Sequence, residues 1–276
     1  MRHLTLAMLS SATIGLLLGT AMAADLPVKA RPIVAPAFSW TGLYVGLNAG
    51  YSWAHASAAQ NLNGFTGGGG ISPFLLADIA AQALALDPKT FTGGLQAGYN
   101  HQFGHVVAGL EIDINSFRLN SSSAVPTHLV NAGFAKTTAT TASIESDWLA
   151  TIRGRVGYAN DRFLAYVTGG AAFTNVEHSQ TLTVVSPNVP ASDTFSVLVK
   201  HRTGWALGAG VEYAWADQWS IKGEYLHLDF GSTSASATHT STGGGAGDMV
   251  GTSLPFSTKL SADLVRVGVN YKFAAR

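Results

Sequence analysis

The sequence contains no cysteine, few charged residues and no excess of charge of either sign. The lack of cysteine excludes disulfide bonds, iron–sulfur clusters and thiol chemistry. Charged residues make up 12% of the chain, roughly half of what an ordinary soluble domain carries. Sixteen basic residues balance sixteen acidic ones. The chain therefore offers neither the basic surface of a nucleic-acid-binding protein nor the acidic excess of a disordered one.

Long hydrophobic runs are also missing beyond the N-terminus. Mean hydropathy is positive, yet no later stretch reaches the roughly 18 apolar residues of a helical membrane span. The chain is instead rich in glycine, with 31 residues, and 10% of it is aromatic. This combination favours a transmembrane β-barrel, in which a polar lumen face dilutes the lipid-facing one.

The N-terminus has the pattern of a secretory signal. Arg2 and His3 precede an apolar stretch from Leu4 to Leu18, and small residues flank Met22 in an Ala-Met-Ala sequence. We expect a signal peptide over residues 1–23, cleaved after Ala23. Residues 24–39 contain three prolines and little periodicity, which predicts an extended periplasmic lead-in.

Strict alternation of apolar and polar residues is the main structural signal of the mature chain, because side chains on a strand project to opposite faces with a period of two. The last segment shows it most clearly: Val265, Val267 and Val269 alternate with Arg266, Gly268 and Asn270. Alternation predicts eight strands: Gly42–Trp53, Phe91–Phe103, Val106–Ser116, Ile144–Tyr158, Phe163–Phe173, Thr203–Ala214, Trp219–Phe230 and Leu260–Phe273.

The connections between these strands alternate long and short, starting and ending with a long one. Outer-membrane barrels have this arrangement, with short periplasmic turns and long extracellular loops. Within the first long connection, Ser72-Pro73 favours a short helix over Phe74–Leu86. The sequence thus predicts an all-β protein, an eight-stranded antiparallel transmembrane barrel over residues 40–273, followed by a tail of residues 274–276.

Aromatic residues cluster at both ends of the outward faces, as the two interfaces of a lipid bilayer select. The predicted girdle at the short-turn end comprises Tyr99, Phe103, Tyr158, Phe163, Tyr213, Trp219, Tyr271 and Phe273. The predicted girdle at the long-loop end comprises Tyr51, Trp53, Phe91, Trp148, Phe173, Trp205 and Tyr225.

Several segments resemble the RopB-like major outer-membrane proteins of alphaproteobacteria. They are Phe38–Tyr51 (FSWTGLYVGLNAGY), Trp148–Tyr158 (WLATIRGRVGY), Tyr166–Gly170, Gly204–Tyr213 and Val265–Phe273. The resemblance covers most of the mature chain outside the loops and implies an eight-stranded, OmpA-like barrel of the porin-family surface proteins. It also implies abundance in the envelope and contact with lipopolysaccharide or host ligands. One departure is that three residues follow Phe273, where such chains usually end on the aromatic residue.

Charged residues on the predicted inward faces balance each other. Four are acidic and four basic: Glu111, Asp113, Glu212 and Glu224 against Arg153, Arg155, Lys222 and Arg266. Because an eight-stranded barrel is only wide enough for side chains to fill it, these groups should pair and plug the lumen. A narrow ion path through a switchable network is the alternative.

Catalysis and cofactor binding find little support in the pattern. Glu111 and Asp113 share one face, but the neighbouring arginines favour ionised, paired acids. His227 is the nearest candidate base, and no serine is an evident partner for it, so we expect no enzyme activity. His55, His128, His178 and His239 place one imidazole in each long connection, without ligand spacing. They are expected to be solvated loop residues, with haem or metal capture as the alternative and no resident cofactor.

The sequence therefore predicts a structural barrel of the Gram-negative outer membrane that contributes to envelope integrity and cell-surface properties. The alternatives are a narrow porin-like channel for ions or small solutes, and loop-based haem or metal binding. The expected partners are outer-membrane lipid, lipopolysaccharide, the barrel-assembly machinery during biogenesis, and host or surface ligands, without nucleic acid.

Overall fold

A computed structural model describes residues 38–60, 84–131, 134–186, 191–242 and 255–273. These residues form ten strands: β1 (Gly42–Gln60), β2 (Leu84–Leu86), β3 (Lys89–Phe103), β4 (Val106–Asn131), β5 (Phe134–Asn160), β6 (Phe163–Ser186), β7 (Ala191–Ala214), β8 (Trp219–Ser236), β9 (Thr238–Thr242) and β10 (Pro255–Lys272). Within this part of the chain, no helical segment has the length and apolarity that a membrane span requires. The predicted signal peptide, the lead-in up to residue 37 and the C-terminal tail lie outside the described residues.

Antiparallel pairing closes the sheet on itself. The order β1-β3-β4-β5-β6-β7-β8-β10 is completed by pairing of β10 with β1, from Tyr44↔Lys272 to Gln60↔Phe256. The short strands lie beside this ring, β2 on β1 and β9 on β7. The predicted all-β antiparallel barrel is confirmed, and the described residues add β2 and β9 to the eight strands that the alternation predicts.

The two faces of the wall differ sharply in chemistry. On β4, Leu110, Ile112 and Ile114 point outward and are more than half exposed, whereas Glu111 and Asp113 between them point inward and are buried. The exposed apolar side chains form a band around the barrel, which is the surface that a hydrocarbon layer accepts. The aromatic residues predicted for the two girdles lie on this outward face, with ring pairs such as Tyr51–Phe91 and Trp219–Tyr271, each 5.1 Å between centroids.

Two of the predicted long connections turn out to be mostly strand. Residues 117–131 and 134–143 continue β4 and β5 as one hairpin, and residues 174–186 and 191–200 do the same for β6 and β7. They were predicted to connect strands, but alternate positions carry buried apolar residues such as Phe117, Ala142 and Leu182. The helix predicted over Phe74–Leu86 is wrong at its end, where residues 84–86 form β2 instead; residues 74–83 lie outside the described part.

β-Bulges interrupt the alternation of inward and outward side chains along β4, β5 and β6. The ladder between β4 and β5 slips between Ser116 and Leu119, and the ladder between β5 and β6 slips between Glu145 and Leu149. An extra residue in one strand inverts the alternation beyond it. As a result Asp147, which strict alternation would put on the same face as Arg153 and Arg155, is exposed and accepts a hydrogen bond from Asn175 Nδ2 at 3.0 Å.

The interior of the barrel is layered along its axis. Near the short turns, an apolar cluster contains Trp40, Val107, Ala159, Leu164, Tyr166 and Ala214, with Phe38 packed against it. The charged residues occupy the middle of the barrel. Beyond them, towards the long hairpins, lies a larger apolar cluster: Ala54, Ala56, Leu86, Phe117, Leu119, Ala142, Ile144, Leu149, Ala172, Val176, Ala206, Leu226, Leu228, Phe230, Leu260, Ala262 and Leu264. We call these two clusters the inner cap and the outer apolar layer.

Candidate functional site: the buried charge network

All eight charged residues predicted to face the lumen lie inside the barrel, each at most 5% exposed. Strands β4, β5, β7, β8 and β10 supply them, so the network reaches across the lumen rather than along one strand pair. We call this set the charge network. Ionised groups out of contact with water are tolerated only when they are paired and hydrogen-bonded, so the geometry of the pairs decides whether the arrangement is stable.

Glu111 is the centre of the network. Its carboxylate accepts hydrogen bonds from Arg153 Nη2 at 2.6 Å and from Lys222 Nζ at 2.8 and 2.9 Å. Arg266 Nη2 lies 3.5 Å and Arg155 Nη1 3.7 Å from its oxygens. Every cation of the network is therefore within ion-pair distance of this one carboxylate.

Asp113 and Glu224 complete the balance around the two central arginines. Arg266 contacts Glu224 Oε2 at 2.6 Å and Asp113 Oδ1 at 3.2 Å. Arg153 contacts Asp113 Oδ2 at 2.9 Å and Glu224 Oε1 at 3.2 Å. Each guanidinium thus bridges carboxylates from different strands, a role that suits the planar fork of arginine.

Glu212 forms a more peripheral arm of the network. It pairs with Arg155 Nη1 at 3.1 Å and accepts hydrogen bonds from Ser220 Oγ at 2.5 Å and Asn270 Nδ2 at 2.7 Å. Arg155 also donates to Asn100 Oδ1 at 2.8 Å. Neutral polar side chains therefore continue the network towards the short-turn end.

Two buried tyrosines belong to the network, although the sequence argument did not single them out. Tyr44 donates to Glu111 Oε2 at 2.7 Å, and Tyr166 donates to Glu224 Oε1 at 2.9 Å. Their rings lie on either side of Arg155, with the guanidinium carbon 4.9 and 5.1 Å from the two centroids. The alternation of each strand places both tyrosines on the inward face, and a buried tyrosine needs a hydrogen-bond partner for its hydroxyl. This was the signal that could have identified them.

Each tyrosine lies over a glycine on the neighbouring strand. Tyr44 pairs with Gly98 on β3, and Tyr166 pairs with Gly210 on β7. A Cβ added at Gly210 would be 2.6 Å from the Tyr166 hydroxyl oxygen and 2.7 Å from the Gly223 carbonyl oxygen. The missing side chain is what lets the ring lie flat against the wall and reach Glu224.

Gly210→Ala is therefore expected to lower the free energy of unfolding by about 1–3 kcal/mol, the usual cost of overpacking. The new methyl group displaces Tyr166 and with it the hydrogen bond to Glu224. Urea unfolding in lipid vesicles, followed by tryptophan fluorescence, measures the change. Gly223→Ala is the matched control, since a Cβ there meets nothing within 4 Å. Equal midpoints for the two variants would contradict the packing argument.

His227 lies on the outward face of β8 and is half-buried. Its Nδ1 is 2.8 Å from Asp263 Oδ1, and Tyr225 donates to the same carboxylate oxygen at 2.6 Å. No hydroxyl of a described residue bonds to the imidazole, so the part of the chain that the structure describes contains an Asp–His pair there without a nucleophile.

The four histidines assigned to the long connections do not share one environment. His55 is exposed on β1 and pairs with Asp87 at 2.7 Å. His178 was predicted to be solvated but is buried inside the barrel on β6. His128 and His239 fall on β4 and β9, and their side chains lie outside what the structure describes. Among the described side chains, no group of three or more metal-binding residues comes together.

Comparison with known proteins places this geometry in a family. Residues 11–273 match the model of the outer membrane protein beta-barrel domain. The chain is 34% identical over 265 residues to the 31 kDa outer-membrane immunogenic protein of Brucella melitensis, covering 92% of this chain and 94% of that protein. It is 26% identical over 199 residues to the 22 kDa outer membrane protein of Rhizobium leguminosarum, covering 71% of this chain and 67% of that protein. The crystal structure of OprG from Pseudomonas aeruginosa aligns with a TM-score of 0.46 at 13% identity, over 85% of this chain and 97% of that one. The resemblance to alphaproteobacterial surface proteins is thus confirmed, and the chain belongs to the outer membrane protein β-barrel domain family.

Proposed function

We propose that this outer-membrane protein is a structural barrel that contributes to envelope integrity and cell-surface properties, with a lumen closed to ions and solutes. The observation that carries the proposal is the layering of its interior. A charge-neutral network of eight residues lies between two apolar clusters of the described residues, and this filling supports a closed lumen.

The periplasmic end supports the proposal through its inner cap. Trp40 is 2% exposed, and its backbone N–H donates to Gln102 Oε1 at 2.7 Å. Its indole N–H donates to the Asp161 carbonyl oxygen at 3.0 Å. Lys272 donates to the Ser39 carbonyl oxygen and lies over the ring of Phe38. The segment before β1 therefore lies across the mouth of the barrel and is held by hydrogen bonds to β3, to the β5–β6 turn and to β10.

The outer apolar layer supports it at the other end. Leu149, Leu226 and Leu264 come from three different strands, and all are fully buried between the charge network and the long hairpins. An ion crossing this layer would have to give up its hydration without any polar replacement, which costs several kcal/mol or more.

Planar bilayer recordings test the proposal directly. Purified protein inserted into a bilayer is expected to show no steady openings, while a porin inserted in the same way conducts. Because the closure consists of successive layers, Trp40→Ala alone is expected to remain closed as well. Steady openings of the unmodified protein would overturn the proposal and favour the narrow channel.

One observation favours that second candidate. Polar atoms on β1, β3 and β4 beside the network are buried without a described partner, among them Asn48 Oδ1, Ser52 Oγ and Thr92 Oγ1. Such atoms ordinarily bind internal water. A hydrated strip along these strands is where a narrow ion path would run if the outer apolar layer opened.

The long hairpins are the proposed site of surface properties. Beyond Ser116 and Trp148, β4 and β5 continue for more than ten residues, which extends the sheet by roughly 30 Å or more at the usual rise per residue. We propose that lipopolysaccharide surrounds the lower part of this extension, that host or surface ligands meet its tip, and that the barrel-assembly machinery is the partner during insertion. The relatives named as immunogenic proteins support surface exposure.

Neither catalysis nor haem or metal capture forms part of this proposal. The Asp263–His227 pair has no hydroxyl partner among the described residues. His55 is exposed on the outer side of β1, whereas His178 is inside the barrel, so these two described histidines do not converge on one ligand.

A further inference from the structure

A second group of buried polar residues lies in the extracellular half of the barrel, beside the distal part of the outer apolar layer. It consists of His178 and Gln180 on β6, Arg202 on β7 and Thr258 on β10, and each is at most 5% exposed. We call it the outer polar cluster. All four side chains point into the interior, although His178 and Arg202 are several residues beyond Phe173 and Trp205 of the aromatic girdle.

Hydrogen bonding within this cluster is incomplete. Arg202 donates from Nη2 to Thr258 Oγ1 at 2.5 Å and from Nη1 to the Thr258 carbonyl oxygen at 3.4 Å. Arg202 Nε, His178 Nε2 and both amide atoms of Gln180 are buried with no described partner. Unsatisfied buried groups in this number point to bound water or a bound ion.

The charge of Arg202 is likewise uncompensated, in contrast to the charge network. The described acidic residues on the neighbouring strands face away: Glu145 on β5 is exposed, and Glu177 on β6 pairs with Lys200 at 2.7 Å on the outward side. No described carboxylate lies within ion-pair distance of Arg202. Burial without a counter-charge lowers the pKa of its guanidinium.

His178 adds a titratable group beside the arginine. Burial, together with the nearby Arg202 charge, lowers the pKa of His178 to about 4. At neutral pH the imidazole is therefore neutral, and Arg202 is the one positive charge among the described side chains of the cluster. Water could satisfy the free hydrogen-bonding atoms, but only an anion would also compensate this charge.

We propose that the outer polar cluster binds one small inorganic oxyanion, with Arg202 as the charged ligand and His178 as a hydrogen-bonding ligand. The planar guanidinium presents Nε–H in a fork that suits an oxyanion, and this donor is the one that Thr258 leaves free. The site is separate from the charge network, whose own cations are all paired.

Sulfate is the probe for a thermal-shift test, because its charge is constant across the pH range used. The folded full-length protein in detergent is titrated with sodium sulfate at fixed ionic strength, with sodium gluconate as the balancing salt. We expect a saturable rise in the unfolding temperature, which follows from preferential binding to the folded state. Arg202→Gln should abolish the rise. Lys200→Gln should keep the rise, since this substitution removes a positive charge only two residues away, on the outward face.

A second measurement covers the case in which Arg202→Gln does not fold. Sulfate binding to the unmodified protein is then measured by isothermal titration calorimetry at pH 8 and pH 5. Binding should be several-fold tighter at pH 5, because a neighbouring anion favours the protonated imidazole. His178→Gln should bind sulfate with the same affinity at both pH values. The absence of saturable binding by the unmodified protein, or its persistence in Arg202→Gln, would overturn the proposal in favour of bound water.

Discussion

Replacing Glu111 by glutamine is expected to lower the free energy of unfolding by about 3–5 kcal/mol, the cost of breaking a buried ion pair from one side. The substitution keeps the shape of the side chain and removes its charge. Arg153 and Lys222 then lose the negatively charged oxygen, Glu111 Oε1, that both contact at 2.6 and 2.8 Å. The network is left with one surplus positive charge that has no access to water. Urea unfolding in lipid vesicles measures the loss.

A surface carboxylate and a charge-balanced variant are the controls for this prediction. Asp217 also pairs with an arginine, Arg162 at 2.8 Å, but is largely exposed, so Asp217→Asn should cost at most about 1 kcal/mol. Adding Lys222→Met to Glu111→Gln restores neutrality and should recover part of the loss. If Glu111→Gln proves no more harmful than Asp217→Asn, the charge network does not hold the lumen together.

The residues of the charge network could be predicted because membership depends only on the alternation of inward and outward side chains within each strand. Glu111 and Asp113, two residues apart on β4, point the same way in any antiparallel barrel. Which acid meets which base could not be predicted in this way. Glu111 and Lys222 are joined across 111 positions of sequence, and that contact depends on the register of all the strands between them.

Parity arguments fail wherever a bulge intervenes. Ile144 and Trp148 have the same parity, so the sequence places them on one face together. The slip between Glu145 and Leu149 separates these two residues: Ile144 is buried, whereas Trp148 is only partly buried. A bulge of this kind has no characteristic residue type that a single sequence would reveal. It is defined by the pairing of the strand with its neighbours, where one strand has an extra residue.

Composition also misled the prediction of strand ends and of the filling of the lumen. Residues 117–143 contain many Ser, Thr and Ala residues and were predicted to connect two strands, although threonine fits a pleated surface well. Leu226 and Leu264 have the same inward parity as Lys222 and Arg266, but the expectation of a polar lumen left them unassigned. The barrel continues beyond the aromatic girdle, and there its interior resembles the core of a soluble protein.

This difference leads to a prediction for the outer apolar layer. Leu226→Ala is expected to lower the free energy of unfolding by about 2–5 kcal/mol, since a fully buried leucine is lost and the closed ring of strands limits how far the cavity can collapse. Leu198→Ala is the matched control, because Leu198 lies on the outward face of β7 beyond the girdle and is 55% exposed, so its truncation should cost much less. Unfolding midpoints of the two variants in the same vesicles decide the matter. Similar losses would mean that the outer apolar layer is loosely packed, and the closure proposed for the extracellular half would then lack its physical basis.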